Sequence, residues 1–172
     1  GKRVQNIDVN LPASALITRY DDYQVINKDE RNLVKVGRIW VEDQSFITDK
    51  AVTFNLNSPI QSGDIIRYRT NAVGWRSQNN KIDFNINGQN PDSRILTSTS
   101  SNPLPDFYPV QYTGVVSNLS GNQITINYKP DISTNPNGTF YLDYVEVQYK
   151  EDLKYNGSQM NFSGNAGIHI DT

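Results

Sequence analysis

The side chains that most often perform catalysis are scarce in this sequence. Cysteine is absent, and the single histidine, His169, lies three residues from the last residue. A catalytic histidine needs a nucleophile and an orienting partner, both held by a rigid scaffold. A terminal stretch offers neither, so His169 is interpreted as incidental. One histidine and no thiolate also argue against a zinc or copper site.

Carboxylates are plentiful, and several stand in pairs: Asp21-Asp22, Asp29-Glu30, Glu42-Asp43, Asp143 with Glu146, and Glu151-Asp152. A glycosidase needs two carboxyl groups that face each other across a cleft, ~5–10 Å apart. Nothing in these spacings predicts that arrangement, and most of the pairs are interpreted as solvated charge on turns and strand faces. Calcium prefers oxygen ligands, which makes Asp143 and Glu146 weak candidates for a structural calcium site. No catalytic residue and no other cofactor is predicted.

Aromatic residues are the stronger candidates for binding. Trp75 follows Gly74 and precedes Arg76, at the expected end of a long strand that starts near Asp64. An exposed tryptophan there could stack on a sugar or anchor a partner, and the competing interpretation is packing in the core or at its rim. The candidate ligand- or partner-binding residues are therefore Trp75, Arg76, Trp40 and Tyr68.

The elements that must position these residues are predicted to be strands. Asn, Ser and Thr together exceed a quarter of the chain, and they disfavour helix interiors. Apolar residues alternate with polar ones in four segments, with Val52-Phe54-Leu56, Ile66-Tyr68-Thr70-Ala72, Ile82-Phe84-Ile86 and Ile124-Ile126-Tyr128 on the apolar side. Each set predicts a strand with one buried and one wet face. The fold class is therefore all-β, an antiparallel two-sheet β-sandwich that is jelly-roll-like.

Local signals add detail to this prediction. Asn87-Gly88 is typical of a hairpin turn, because both residues tolerate a positive φ. Within 139–149 the apolar residues switch from one alternating set of positions to the other. This switch predicts a β-bulge near Asp143–Tyr144 or a strand covered on both sides. Residues 28–36 form the one stretch that could be helical or irregular. Four prolines and a Ser/Thr cluster predict a long exposed connection between Pro91 and Pro109.

Bulk properties limit the functions that remain. The 172 residues suit one domain with a real hydrophobic core. A net charge of −2 and a pI of about 5.3 argue against nucleic acid as a partner. Nothing reaches the ~18 consecutive apolar residues that a membrane-spanning helix needs. Cysteine usage says little about compartment.

Three segments resemble a known family in order and spacing, from about Lys28 to Phe162. They are Leu33-Val34-Lys35-Val36-Gly37-Arg38-Ile39-Trp40-Val41-Glu42, then Ile82-Asp83-Phe84-Asn85-Ile86-Asn87-Gly88-Gln89, and finally Gly138-Thr139-Phe140-Tyr141-Leu142-Asp143-Tyr144-Val145-Glu146-Val147 through to Phe162. They are similar to the β-domain of type IX secretion system sortases, which are PorU-like, gingipain-related cysteine peptidases.

The resemblance implies a jelly-roll-like sandwich upstream of a caspase-like domain that carries a Cys–His dyad. This chain would then be no enzyme itself, because the dyad of the parent lies outside it. Its partners would be the downstream catalytic domain, and secreted cargo proteins or glycans. The implied location is the cell envelope, at the outer membrane surface or outside the cell. The expected organisation is a set of lead-in strands and a linker over 1–35 that pack on the domain, a β-sandwich core over 36–150, and a C-terminal strand or tail over 151–172 leading to a missing downstream domain.

Three functions stay open on the sequence. The first is an accessory module of such a sortase, which braces the catalytic domain or positions cargo. The second is a carbohydrate-binding jelly roll, motivated by Trp40, Trp75 and the tyrosine-rich strands, because aromatic faces stack on sugar rings. The third is a surface adhesin or structural module with no peptidase neighbour.

Overall fold

The computed structural model describes residues 18–33, 39–75, 80–96, 107–133 and 138–154. Within these ranges the regular structure is entirely β, so the predicted fold class is confirmed. No helix in this part of the chain could cross a membrane. The strands, in chain order, are β1 (Arg19–Asn27), β2 (Arg31–Asn32), β3 (Trp40–Val41), β4 (Lys50–Ile60), β5 (Ile65–Trp75), β6 (Asn80–Ile86), β7 (Gln89–Leu96), β8 (Phe107–Ser117), β9 (Gly121–Asp131) and β10 (Phe140–Asp152).

The topology is that of a jelly roll. One sheet has the order β1-β10-β5-β8 and the other has the order β4-β9-β6-β7, with every pairing antiparallel. The pairs are nested along the chain, because β1 pairs with β10, β4 with β9, β5 with β8, and β6 with β7. This nesting is what results when one long hairpin is rolled into a two-sheet sandwich.

The core lies between the two sheets and is formed by the alternating residues that the sequence singled out. Val52, Phe54 and Leu56 of β4 are buried, as are their counterparts in β6 and β9 and, apart from the half-buried Tyr68, those in β5. The two sheets also share a buried polar contact, since the hydroxyls of Thr70 in β5 and Tyr128 in β9 are hydrogen-bonded. The Thr70 hydroxyl donates its own proton to the carbonyl of Tyr144, at 2.8 Å. The Tyr128 hydroxyl is therefore the donor in the bond between the two hydroxyls.

The predicted bulge is confirmed. Leu142 pairs with Ala72, whereas Tyr144 pairs with Asn71, so Asp143 is the extra residue on β10. An extra residue switches the parity of the strand. Consequently Phe140 and Leu142 before the bulge and Val145 and Val147 after it all reach the same core.

The structure places strands in two segments that were expected to be irregular. The stretch after Pro91 is not a loop, because β7 continues to Leu96 in register with β6. Proline is tolerated there because β7 is an edge strand and Pro91 lies where the register shifts, between Gln89 and Asp92. Residues 28–33 contain no helix and include β2, which pairs with β3. Residues 34–36 and 97–106 lie outside the described ranges.

The sandwich also includes strand β1, which belongs to the segment expected as a lead-in. All nine residues of β1 pair with β10, from Arg19 opposite Asp152 to Asn27 opposite Tyr144. Arg19 reinforces this end of the sheet, because its guanidinium contacts Asp64 at 2.6 Å and Asp152 at 2.8 Å. The predicted boundaries at 35 and 150 stay a prediction.

Candidate interaction surface

The outer face of the β1-β10-β5-β8 sheet carries most of the exposed large apolar side chains. Among the described residues, seven such side chains are exposed, and Tyr23, Val25, Ile65 and Val115 of this face are four of them. Charged and amide side chains lie between them. We call the set the arginine–tyrosine face, formed by Tyr23, Val25, Ile65, Arg67, Arg69, Val115, Glu146 and Gln148.

The pairing register brings these residues together from four strands. One outward row runs from Tyr23 across Gln148 to Arg67, and the next runs from Val25 across Glu146 to Arg69. The residues between the rows, Gln24, Val147 and Tyr68, alternate to the other side of the sheet. An open depression of about 380 Å³ lies over the two outward rows.

Charge on the arginine–tyrosine face is only partly matched. Arg69 contacts Glu146 at 3.0 Å and lies 5.4 Å from the ring centroid of Tyr144. The hydrogen bond to Glu146 raises the pKa of Arg69. Arg67 is exposed and makes no ion pair with any described residue. Two arginines and one glutamate therefore leave the depression with a formal charge of +1.

One end of the same outer surface is already covered. Val73 of β5 and Tyr141 of β10 point outward there, and Val41 of β3 packs on them in a small second core. Leu33 and Ile39 pack at its edge, and the guanidinium of Arg31 lies 5.6 Å from the Tyr141 ring centroid. The residue after β3 is also hydrogen-bonded to β10, because the Glu42 N–H donates to the Leu142 carbonyl at 2.9 Å.

The outer face of the other sheet differs in chemistry. Its amide and hydroxyl side chains bond to one another across strands, each at 3.0 Å: Thr53 with Thr125, Gln123 to Asn55, and Asn127 to Asn85. Ile95 is the exposed large apolar side chain that β7 contributes to it. We call this surface the amide face. Several of its polar side chains are therefore already hydrogen-bonded within the face.

The candidate residues from the sequence lie in different places. Tyr68 is half-buried in β5, with its ring centroid 5.4 Å from that of Phe84, and it lies between Arg67 and Arg69 beside the depression. Trp40 is 46% exposed on β3, outside the arginine–tyrosine face. Trp75 is the last residue of β5, as predicted, with its backbone paired with Phe107. Arg76 lies outside the described residues, so its role stays a prediction.

The two weak calcium candidates have separate partners. Asp143, at the bulge, accepts a hydrogen bond from Asn71 at 2.7 Å, and Glu146 is paired with Arg69. Burial raises the pKa of Asp143, and the nearby charge of Asp29 adds to that effect, while the bond from Asn71 opposes it. No group of three acidic or histidine side chains within the described ranges is placed to hold a metal ion. A structural calcium ion remains a prediction.

Sequence reasoning missed the centre of the surface, namely Tyr23, Val25 and Arg67. The sequence did contain a signal for Tyr23 and Val25, because β1 has apolar residues on both of its faces. Ile26 is turned inward, and Tyr23 and Val25 are turned outward. A strand with apolar residues on both faces predicts cover on both sides. What the sequence could not show was that β1 and β5 flank β10.

Fold and surface together define an all-β jelly-roll domain that cannot supply a cysteine nucleophile, since it has no cysteine. No family model matches the chain, and no curated protein matches it. Among solved structures, its fold is similar to part of dimeric latent PorU from Porphyromonas gingivalis, with a TM-score of 0.62 and 21% identity. The match covers 90% of this chain and 15% of the PorU chain, so the similarity in fold is to a small part of that protein.

Proposed function

We propose that this chain is a non-catalytic accessory domain of a gingipain-related cysteine peptidase or sortase of the cell surface. Its role is to brace the catalytic domain or to position cargo, and the cysteine nucleophile lies elsewhere in the parent polypeptide. The observation that carries the proposal is the similarity of its fold to a small part of PorU over 90% of the chain. Three ordered sequence segments that resemble the same family support it independently.

The parent gene provides the first test. We expect it to encode a caspase-like domain with a Cys–His dyad on the C-terminal side of this chain. The second test compares the purified parent with a variant that lacks residues 18–154. We expect the shortened protein to keep a cysteine that reacts with an active-site thiol probe, yet to lose peptidase activity toward cargo. A parent gene without a peptidase domain, or full cargo processing by the shortened protein, would contradict the proposal.

Carbohydrate binding is the second candidate, because Tyr23 is 71% exposed beside an open depression that also presents Arg67, Glu146 and Gln148. An exposed aromatic ring with polar neighbours is suited to stacking on a sugar ring. A glycan array probed with this chain and with Tyr23→Ala tests the idea. Binding that the substitution abolishes would support it, and a blank array with the unaltered chain would remove it.

A further inference from the structure

We propose that the arginine–tyrosine face is the surface on which this domain docks against the remainder of its own polypeptide. We infer that the opposing surface is apolar at its centre and presents a carboxylate to Arg67. This inference rests on the proposed function, because it takes a longer parent polypeptide as given. It adds the location of the contact and the chemistry of the partner.

Apolar exposure is concentrated on this face. Tyr23 and Val25 flank the depression on the β1 side, with 71% and 48% of their surface exposed, and Ile65 is 45% exposed on β5. Scattered exposed apolar residues are ordinary, whereas a group of them mixed with Tyr and Arg is typical of the centre of a protein interface. The amide face has the opposite character, because its side chains already bond to one another.

Charge complementarity identifies the chemistry of the partner. The chain carries a net charge of −2, yet the depression has a formal charge of +1 because Arg67 lacks a carboxylate among the described residues. Guanidinium groups bind carboxylates through two parallel hydrogen bonds, and burial beside Tyr23 would strengthen such a pair. The neighbouring Arg69 is already paired with Glu146, so Arg67 is the cation that a partner would meet.

Continuity with an existing covered region favours a partner from the same polypeptide. The other end of this outer surface is already buried by the chain itself, through Val41 on Val73 and Tyr141. The surface is thus one on which other parts of the chain pack, and the arginine–tyrosine face extends it. In PorU, the matching fold occupies 15% of the chain, which leaves ample polypeptide to cover an exposed sheet face.

The test compares the effect of one substitution in two contexts, the isolated chain and the full-length parent. The urea midpoint of this domain is measured in both by pulse proteolysis, read from the domain's own fragments. We expect Arg67→Glu to lower the urea midpoint more in the parent than in the isolated chain, by on the order of 1 M. The reason is that the introduced glutamate would face, and repel, the carboxylate of the docked surface. Any local repulsion from Glu146 acts in both contexts and subtracts out.

Two further variants keep the comparison informative. Arg67→Gln removes the charge without adding a new one, in case the reversal prevents folding, and Tyr23→Ala probes the apolar part. The matched controls lie on the amide face, namely Lys129→Glu and Ile95→Ala, and we expect each to shift both midpoints equally. Equal shifts for Arg67→Glu, Arg67→Gln and Tyr23→Ala in the two contexts would overturn the inference.

The outcome also separates this inference from the proposed function. Equal shifts in a parent that does contain a peptidase domain would remove the docking surface and leave the accessory role standing. A larger shift in a parent without a peptidase domain would keep the docking surface and remove the sortase assignment. Crosslinking of position 23 to a different protein, and to no part of the parent, would also overturn the inference.

Discussion

Gly114 shows how a distant neighbour can require glycine at one position. Gly114 of β8 pairs with Tyr68 of β5, and a Cβ atom at position 114 would lie 2.5 Å from the Tyr68 hydroxyl oxygen and 2.8 Å from its Cζ. The ring also packs against Phe84, with the ring centroids 5.4 Å apart, so moving it out of the way would disturb that contact. Gly114 is not among the glycines with a positive φ, and the requirement is therefore one of space.

Because of this close approach, the effect of Gly114→Ala on stability should change sign when the Tyr68 side chain is removed. We expect Gly114→Ala to lower the free energy of unfolding by about 1–3 kcal/mol, because it forces an extra atom into a filled site. In a Tyr68→Ala background, the same change should stabilise the protein by about 0.5–1 kcal/mol, because alanine loses less backbone entropy than glycine in a strand. Urea denaturation of the four proteins measures both effects. Equal effects in the two backgrounds would refute the packing argument.

Two carboxylates are expected to act on stability with opposite pH dependence. Burial acts to raise the pKa of Asp64, but hydrogen bonds from Arg19 and from the Gln61 N–H outweigh it, so the pKa is lowered. Asp64 therefore stabilises the fold above the unfolded pKa, near 3.9, and this contribution is lost as pH falls through the lower folded pKa. The raised pKa of Asp143 has the opposite consequence, since its contribution is lost as pH rises through the folded value.

Asparagine substitutions at these two positions test the signs. The increase in unfolding free energy from pH ~2.5 to pH ~7 should be smaller in Asp64→Asn than in the unaltered chain, and larger in Asp143→Asn. Each variant serves as the control for the other, since both exchange a carboxylate for an amide of the same shape. Chemical denaturation at a series of pH values provides the curves. Parallel curves for all three proteins would show that neither carboxylate is perturbed by folding.

At the scale of the elements, the bulge at Asp143 sets the parity of β10. Deleting Asp143 restores a regular strand, and a shift of one residue turns side chains to the opposite face. Phe140 and Leu142, both buried now, would move outward, or the residues after the bulge would do so. We expect the deletion to leave no cooperative thermal transition, whereas Asp143→Gly, which keeps the extra residue, still unfolds cooperatively. A folded deletion variant would contradict this role of the bulge.

The sequence predicted those features of the elements that depend on local periodicity. Alternation identified the buried side of β4, β6 and β9, and the change of parity identified the bulge, because both signals lie within one strand. The turn at Asn87-Gly88 is likewise confirmed, with φ values of 46° and 77°. The strand through Pro91 was missed, because a proline is compatible with an edge strand and only the pairing shows which strands are edges.

The candidate surface was less predictable, because it depends on which strands are neighbours. Tyr23 and Arg67 are far apart in the sequence and lie in one row of the sheet only because β1 and β5 flank β10. The predicted tryptophans were chosen for residue type, and Trp40 is indeed exposed, yet it lies outside the arginine–tyrosine face. Residue type thus indicates what a side chain can bind, and the strand order decides which side chains can bind together.

At the scale of the whole molecule, the two outer faces of the sandwich have different chemistry. The arginine–tyrosine face combines exposed apolar side chains with Arg67, which makes no ion pair within the described part of the chain, whereas several side chains of the amide face are hydrogen-bonded to one another. A free domain would expose both faces to water. As part of a larger polypeptide, it should cover the first and leave the second exposed.

Hydroxyl-radical footprinting of the isolated chain and the full-length parent tests this asymmetry most directly, because it reports the solvent exposure of single side chains. Tyr23 on the arginine–tyrosine face and Ile95 on the amide face are both strongly exposed in the domain, at 71% and 68%. We predict that oxidation of Tyr23 falls several-fold in the parent while oxidation of Ile95 is unchanged. Equal oxidation of Tyr23 in both proteins, or protection of Ile95 alone, would contradict the account.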